Sequence, residues 1–180
     1  LVVALYVGRF QPFHKGHLMV TKSILEDVEE LIVGIGSSQY SYSIENPFTA
    51  GERVLMIKRT LEEEGIPSEK YCVLPIPDTE PKGSHSLWVS LVRTYLPPFQ
   101  VVYSREPLTK LLFREAGIEV REPPEFDRDK YWASRIRKMM IDGDDSWRDL
   151  VPKAVERTIN EIRGVERLQE LSKVDSPSKL

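Results

Sequence analysis

A chain of 180 residues with a formal net charge of −3 is long enough to bury a core without cross-links, and it makes one domain, or one domain with a small appendage. That charge excludes broad, nonspecific nucleic-acid binding, which needs a basic face, but leaves room for a phosphorylated small molecule in a local basic pocket. The single cysteine, Cys72, excludes a disulfide within the chain and, read as a buried core thiol, fits a cytoplasmic setting. No apolar run reaches the roughly 18 residues of a membrane span, and no basic region precedes the first apolar run, so neither a membrane segment nor a signal peptide is expected.

Residues 1–7 are apolar and β-branched and predict a buried strand. From Leu18 to Val28 the apolar residues recur at helical spacing. Residues 8–17 between them, Gly-Arg-Phe-Gln-Pro-Phe-His-Lys-Gly-His, are therefore a strand-to-helix crossing with His14 and His17 at the helix N-terminus. The first N–H groups of a helix lack partners and the dipole there is positive, so an anion binds readily. Histidines three apart share one face of the first turn, and Gly16 between them would let a phosphate approach the backbone. With Arg9 and Lys15 they form a phosphate cradle. Two such histidines could also be surface residues or half a metal site, but zinc wants three or four ligands and the neighbouring sequence adds none.

Residues 31–36 predict a second strand, which completes a βαβ unit, with the small-residue turn of Gly36 and Ser37 at its carboxyl end. Residues 40–48 form a polar loop with a turn at Asn46-Pro47. Thr49-Ala50-Gly51-Glu52 has the shape of a capping box, and a helix follows to about residue 64 with Val54, Leu55, Ile57 and Leu61 as its apolar positions. Arg53 on that helix reads either as a solvated charge or as a functional residue. Residues 71–76 are a third strand. A loop from Asp78 through Lys82, Gly83 and His85 leads to Trp88, and Lys82 and Gly83 have the look of a flexible insertion. Helix 87–96, strand 100–103, helix 108–116, Gly117 and strand 118–120 follow. After a Pro-rich stretch, Ser134, Arg135, Arg137 and Lys138 open another helix. Helices 152–163 and 165–173 complete the chain before a tail at 174–180.

Five strands alternating with helices predict an α/β, Rossmann-like, doubly wound parallel sheet over residues 1–150, with residues 151–173 as C-terminal helices packed on the same domain. Two basic helix N-termini, one with His14 and His17 and one with Ser134 and Arg137, come from opposite halves of the chain. At the switch point of such a sheet both would face one crevice.

His-x-Gly-His after a first strand resembles the signature of the nucleotidyltransferase superfamily of class I tRNA synthetases and small adenylyltransferases. The longer string of residues 8–17, and Asn46-Pro47-Phe48-Thr49 leading to Gly51-Glu52-Arg53, are similar to the archaeal nicotinamide-nucleotide (NMN) adenylyltransferases. The resemblance implies transfer of the adenylyl group of ATP to the 5′-phosphate of NMN, giving NAD and pyrophosphate. It implies His14, His17 and Arg137 as catalytic residues, and Gly8, Arg9, Phe10, Gln11, Lys15, Gly16, Ser104 and Ser134 around ATP and its phosphates. Gly36, Ser37, Asp78, His85 and Trp88 would hold NMN, the Trp88 ring stacking on the nicotinamide. It further implies Mg²⁺ on the triphosphate rather than in a protein cage, and a homo-oligomer, hexameric in archaeal relatives.

The chain departs from the family pattern in three places. The spacing from Asp78 to Trp88 is longer by about three residues, with His85 where the family has Asn. Arg105-Glu106 replaces Gly-Asn after strand four, and Trp132 stands where the second motif has its first Ser. Two other readings are compatible with these departures. One is a related nucleotidyltransferase acting on FMN or phosphopantetheine, and the other is a non-catalytic nucleotide sensor.

Overall fold

The computed structural model describes residues 1–174, so the tail expected at 174–180 lies outside the described residues but for the backbone of Val174. Five parallel strands, β1 (Val3–Gly8), β2 (Glu30–Ile35), β3 (Tyr71–Pro75), β4 (Val101–Tyr103) and β5 (Glu119–Arg121), form one sheet in the order β3-β2-β1-β4-β5. The chain winds outward from β1 to β3, then returns across the sheet to β4 on the other side of β1. The order therefore reverses between β1 and β4, and a crevice opens beyond their carboxyl ends. Register carries the ladder to that edge. Gly8 pairs with Ile35 and Tyr6 with Tyr103, and the N–H of Gly36 still donates to the Gly8 carbonyl at 2.9 Å.

Side-chain alternation divides the core into two layers. Ala4, Tyr6, Leu31 and Val33 face one side, where they meet α1 (Lys15–Asp27), α2 (Ala50–Glu63), α5 (Ala133–Asp142), α6 (Lys153–Glu161) and α7 (Gly164–Val174). Leu5, Ile32 and Val102 face the other, covered by α3 (Trp88–Tyr95) and α4 (Pro107–Glu115) through Val89, Val92 and Phe113. Among the described residues no helix is long and apolar enough to cross a membrane. Cys72 is half-buried rather than buried, because β3 is an edge strand.

The C-terminal helices complete the first layer. Val155, Ile159 and Leu168 are buried in the same cluster as the strand residues. Arg167 of α7 makes two hydrogen bonds to the Glu52 carboxylate, at 2.7 and 2.8 Å, and one to the Pro47 carbonyl at 3.0 Å. Glu52 is also the acidic half of the capping box predicted at Thr49, where Thr49 accepts from the Glu52 N–H and Glu52 from the Thr49 N–H. One carboxylate thus starts α2 and docks α7. Replacing Arg167 with Ala would leave Glu52 half-buried without its cation, at a cost of roughly 1–3 kcal/mol. The expected result in urea denaturation is a lower midpoint with an unchanged slope, and an unchanged midpoint would show that the pair holds nothing together.

Candidate active site

α1 begins three residues earlier than the periodicity indicates, because His14 is its cap. The Nδ1 of His14 accepts from the His17 N–H at 3.3 Å, and the Nδ1 of His17 accepts from the His14 N–H at 3.1 Å. This is a capping box built from two imidazoles, with the rings stacked at 3.5 Å. Each Nδ1 is therefore an acceptor, and the proton of each neutral ring sits on Nε2, where it can be donated to a ligand. Burial pushes the His14 imidazole down to about 3. Burial, and then His14 itself, hold His17 well below the ordinary 6.5. Both rings are neutral donors at neutral pH, and the positive charge of the cradle comes from elsewhere.

It comes from three guanidinium groups. Arg137, in the first turns of α5, is 7% exposed and donates from Nη1 to the Gln11 carbonyl at 2.8 Å, joining the second motif to the first. Its Nε is buried with no partner, leaving a donor unspent. Arg53 is fully buried and donates to the carbonyls of Arg9, Gly36 and Ser37 and of its own helix cap, Thr49. Burial, and then the nearby positive charge of Arg9, bring both Arg53 and Arg137 down to about 10, so both remain charged at neutral pH. Arg9 itself is exposed and lines the adjoining cavity.

That cavity, of about 680 Å³, opens at the ends of β2 and β3. Arg9, Ser37, Asp78, His85 and Trp88 line it, so five expected site residues from the connections after β1, β2 and β3 converge there. Ser37 donates to the Asp78 carboxylate at 2.8 Å, and Trp88 is half-buried, with Phe113 edge-on against its ring at 5.4 Å. Asn46, from the turn that carries part of the resemblance, lines it too, as do Tyr40, Glu45, Lys82 and Thr109, which were not among the expected site residues. Their only signal was position, since loops after adjacent parallel strands share one edge of the sheet. Lys82, taken as flexible insertion, is in the wall.

Several of the expected ligand residues have side chains engaged within the protein. Gln11 is 1% exposed and spends both ends of its amide on the backbone of Phe48, at 3.0 Å each, so its side chain has nothing left for a phosphate. Phe10 is 2% exposed and packs edge-on against Tyr6, Phe13 and His17, supporting the histidine from behind. Gly8 and Gly16 are small for internal reasons. A Cβ on Gly8 would lie 2.8 Å from the Phe10 ring, and one on Gly16 would lie 2.9 Å from the His14 ring and 3.0 Å from Tyr131. Lys15 points into a different cavity, with Met19, Tyr131 and Lys153. The Gly36 carbonyl is taken by Arg53. Ser104 is 6% exposed, and its hydroxyl accepts from the Glu106 N–H. Glu106 in turn caps α4, so a carboxylate occupies that helix N-terminus. Ser134 is exposed in the first turn of α5, and the cap there, Trp132, makes no side-chain hydrogen bond, which leaves the helix N–H groups open. Among the described residues no group of three or more His, Cys, Asp or Glu side chains is placed to hold a metal ion.

The neutral histidines have a measurable consequence. The unfolded chain protonates an imidazole near the ordinary 6.5, whereas the folded protein keeps His14 neutral to about 3. Between those values the unfolded state binds more protons, so stability falls as pH drops from about 6.5 toward 3. In the ligand-free protein the His14 ring NMR signals are expected to hold the Nε2-protonated neutral form throughout pH 5–8. A titration midpoint near the ordinary value would overturn the assignment.

Residues 5–163 match the family model described as cytidylyltransferase-like. The chain is 54% identical over 172 residues to the nicotinamide-nucleotide adenylyltransferase of Ignicoccus hospitalis, covering 96% of this chain and 99% of that one. It is 46% identical over 169 residues to the protein of the same name from Caldivirga maquilingensis, covering 94% and 93%. Among solved structures it superposes with a TM-score of 0.74, at 19% identity, on a bifunctional NMN adenylyltransferase/ADP ribose pyrophosphatase from Francisella tularensis complexed with AMP and a manganese ion. That match covers 96% of this chain and 53% of the bifunctional one, so this chain spans about half its length, and the likeness is one of fold.

Proposed function

The chain belongs to the cytidylyltransferase-like family and, within it, to the nicotinamide-nucleotide adenylyltransferases. From that premise we infer how its own residues move the adenylyl group of ATP onto the 5′-phosphate of NMN, giving NAD and pyrophosphate. The observation that carries the assignment of roles is the junction at Gln11. There Arg137 is bonded to the loop that ends in the histidine capping box, and Arg9, two residues earlier in the same loop, lines the cavity of Trp88.

The NMN phosphate is an anion at neutral pH and attacks the α-phosphorus of ATP without a general base. The protein's task is to hold two polyanions in line and to stabilise the charge that builds on the phosphoryl oxygens. His14 and His17 donate from Nε2 to the α- and β-phosphate oxygens. Neutral donors suit this, because their protons stay put and their orientation is set in advance by the capping box. Arg137 and Ser134, with the open N–H groups of α5, take the β- and γ-phosphates. Arg9 faces both the NMN phosphate and ATP, and its charge adds to those of Arg53 and Arg137. Asp78, held by Ser37, reads the carboxamide, and the Trp88 face stacks on the nicotinamide ring.

As an ATP-using nucleotidyltransferase the protein works with a divalent cation. We take it to be Mg²⁺ that arrives bound to the triphosphate as part of the substrate. The working form is proposed to be a cytoplasmic homo-oligomer, a hexamer by resemblance, with residues 1–150 as the nucleotidyltransferase domain and residues 151–173 completing its core.

Separate incubations with ATP, Mg²⁺ and NMN, FMN or phosphopantetheine test the reaction, and dinucleotide is expected with NMN. Bound ATP without product from any acceptor would favour a sensor. His17→Ala should lower kcat by roughly 100-fold or more while circular dichroism stays native, and wild-type turnover by the folded variant would remove His17 from the mechanism. Trp88→Ala should raise the KM for NMN by about tenfold with a smaller effect on the KM for ATP. Equal effects on both would mean that Trp88 only supports the fold.

A further inference from the structure

The segment between β2 and α2 forms one wall of the cavity, and the C-terminal helix holds it at a residue outside the cavity. Ser41 and Ser43 line the cavity with Tyr40, Glu45 and Asn46. Tyr42, between the two serines, is not part of that lining and is 57% exposed. Its ring lies over the guanidinium of Arg167 in α7, with Cζ 4.3 Å from the ring centroid. The Tyr42 backbone has a φ of 54°, a left-handed conformation that a bulky side chain keeps only where its surroundings enforce it. Arg167 supplies a fixed point for this, because its guanidinium is already bound by the Glu52 carboxylate and the Pro47 carbonyl. One group thus grips the segment at both ends, through the ring face at Tyr42 and the main chain at Pro47. The start of α7 adds to the grip at the next residue, since a Cβ on Gly164 would lie 2.8 Å from the Phe48 ring.

Between these anchors the segment is a turn closed on itself. The Asn46 N–H donates to the Ser43 hydroxyl at 3.1 Å, and the Ser43 N–H donates to the Asn46 carbonyl at 3.3 Å. A wall of this kind binds best when it is ordered beforehand, because ordering a loosened loop takes free energy from binding. The reacting phosphates are assigned to His14, His17 and Arg137, on other elements, so a loosened wall weakens binding and leaves the chemical step alone. We propose that Arg167 is a positioning residue for substrate binding. Through Tyr42 it holds residues 41–46 in the shape that receives the nucleotide in the cavity, without touching that nucleotide itself. The identity of the nucleotide rests on the reading of the cavity as the NMN site.

The test measures kcat, the KM for NMN and the KM for ATP in the wild-type protein, in Tyr42→Ala, Tyr42→Phe and Arg167→Ala, and in the variant carrying both alanines. Circular dichroism and the urea midpoint are followed beside them. Tyr42→Ala should raise the KM for NMN roughly two- to fivefold, the scale of one exposed cation–π contact, with kcat within about twofold of wild type. Tyr42→Phe keeps the ring face and should keep the wild-type KM. Arg167→Ala should raise the KM at least as much as Tyr42→Ala, and the double variant should be no worse than Arg167→Ala alone. A lowered urea midpoint with an unchanged KM for both substrates would mean that the contact only docks α7, and would overturn the proposal. Increases that multiply in the double variant would overturn it too, by placing Tyr42 on the substrate itself. The same pattern of increases in the KM for ATP in place of NMN would uphold the positioning role and remove NMN from the cavity.

Discussion

The buried guanidinium of Arg53 is the constraint on which the site depends. It lies on the inward face of α2, in a position that an apolar residue would ordinarily fill, and it is fully shielded from water. A charge in that place is tolerable only if its donors are satisfied. Here the acceptors are main-chain carbonyls that follow β1 and β2, at Arg9, Gly36 and Ser37, together with the cap of its own helix. The two loops that must cooperate are thereby bonded to one side chain. The same group also adds to a local excess of positive charge with Arg9 and Arg137, an arrangement in which like charges oppose one another.

Against this cationic frame the histidines have a different part. A pair of charged imidazoles 3.5 Å apart would repel each other and would each lose an acceptor at Nδ1. The capping box requires the neutral tautomer, burial enforces it, and the result is two oriented N–H donors in an otherwise charged cradle. The supporting layer behind them consists of Phe10 and Phe13, with Gly16 giving the His14 ring its space. Several residues of the first motif thus shape the histidines from within the fold.

The three departures from the family pattern fall into separate roles. Glu106 fills a helix N-terminus with its own carboxylate and takes that terminus out of anion binding. Trp132 leaves the α5 terminus without a side-chain cap, so the N–H groups there stay available even though one hydroxyl is missing. The extra residues after Asp78 add Lys82 to the cavity wall. Two of the departures thus alter helix termini, and the third changes a loop at the sheet edge, where length can vary without disturbing the sheet.

Periodicity alone determined the five strands, their alternation with helices and the doubly wound class, because a buried parallel strand and an amphipathic crossover each leave a local pattern. Local chemistry was equally legible. Thr49 and Glu52 form the box that their spacing announces, and Gly117 ends α4 with a positive φ of 76°. His14, His17 and Arg137, joined through the loop at Gln11, and Ser37, Asp78 and Trp88, which line the cavity, could be named in advance because the motifs and the family resemblance mark them. Tertiary structure alone decided which side chains were spent on the fold. Nothing local distinguishes Gln11, which binds the Phe48 backbone 37 residues away, from a phosphate ligand. Nor does anything local show that Arg53 is buried, that Lys15 faces away, or that Lys82 reaches the cavity. Hydrogen-bond partners and burial are properties of segments brought together by the sheet order, and a polar side chain carries no mark in sequence of whether its acceptor will be the protein's own backbone or a ligand.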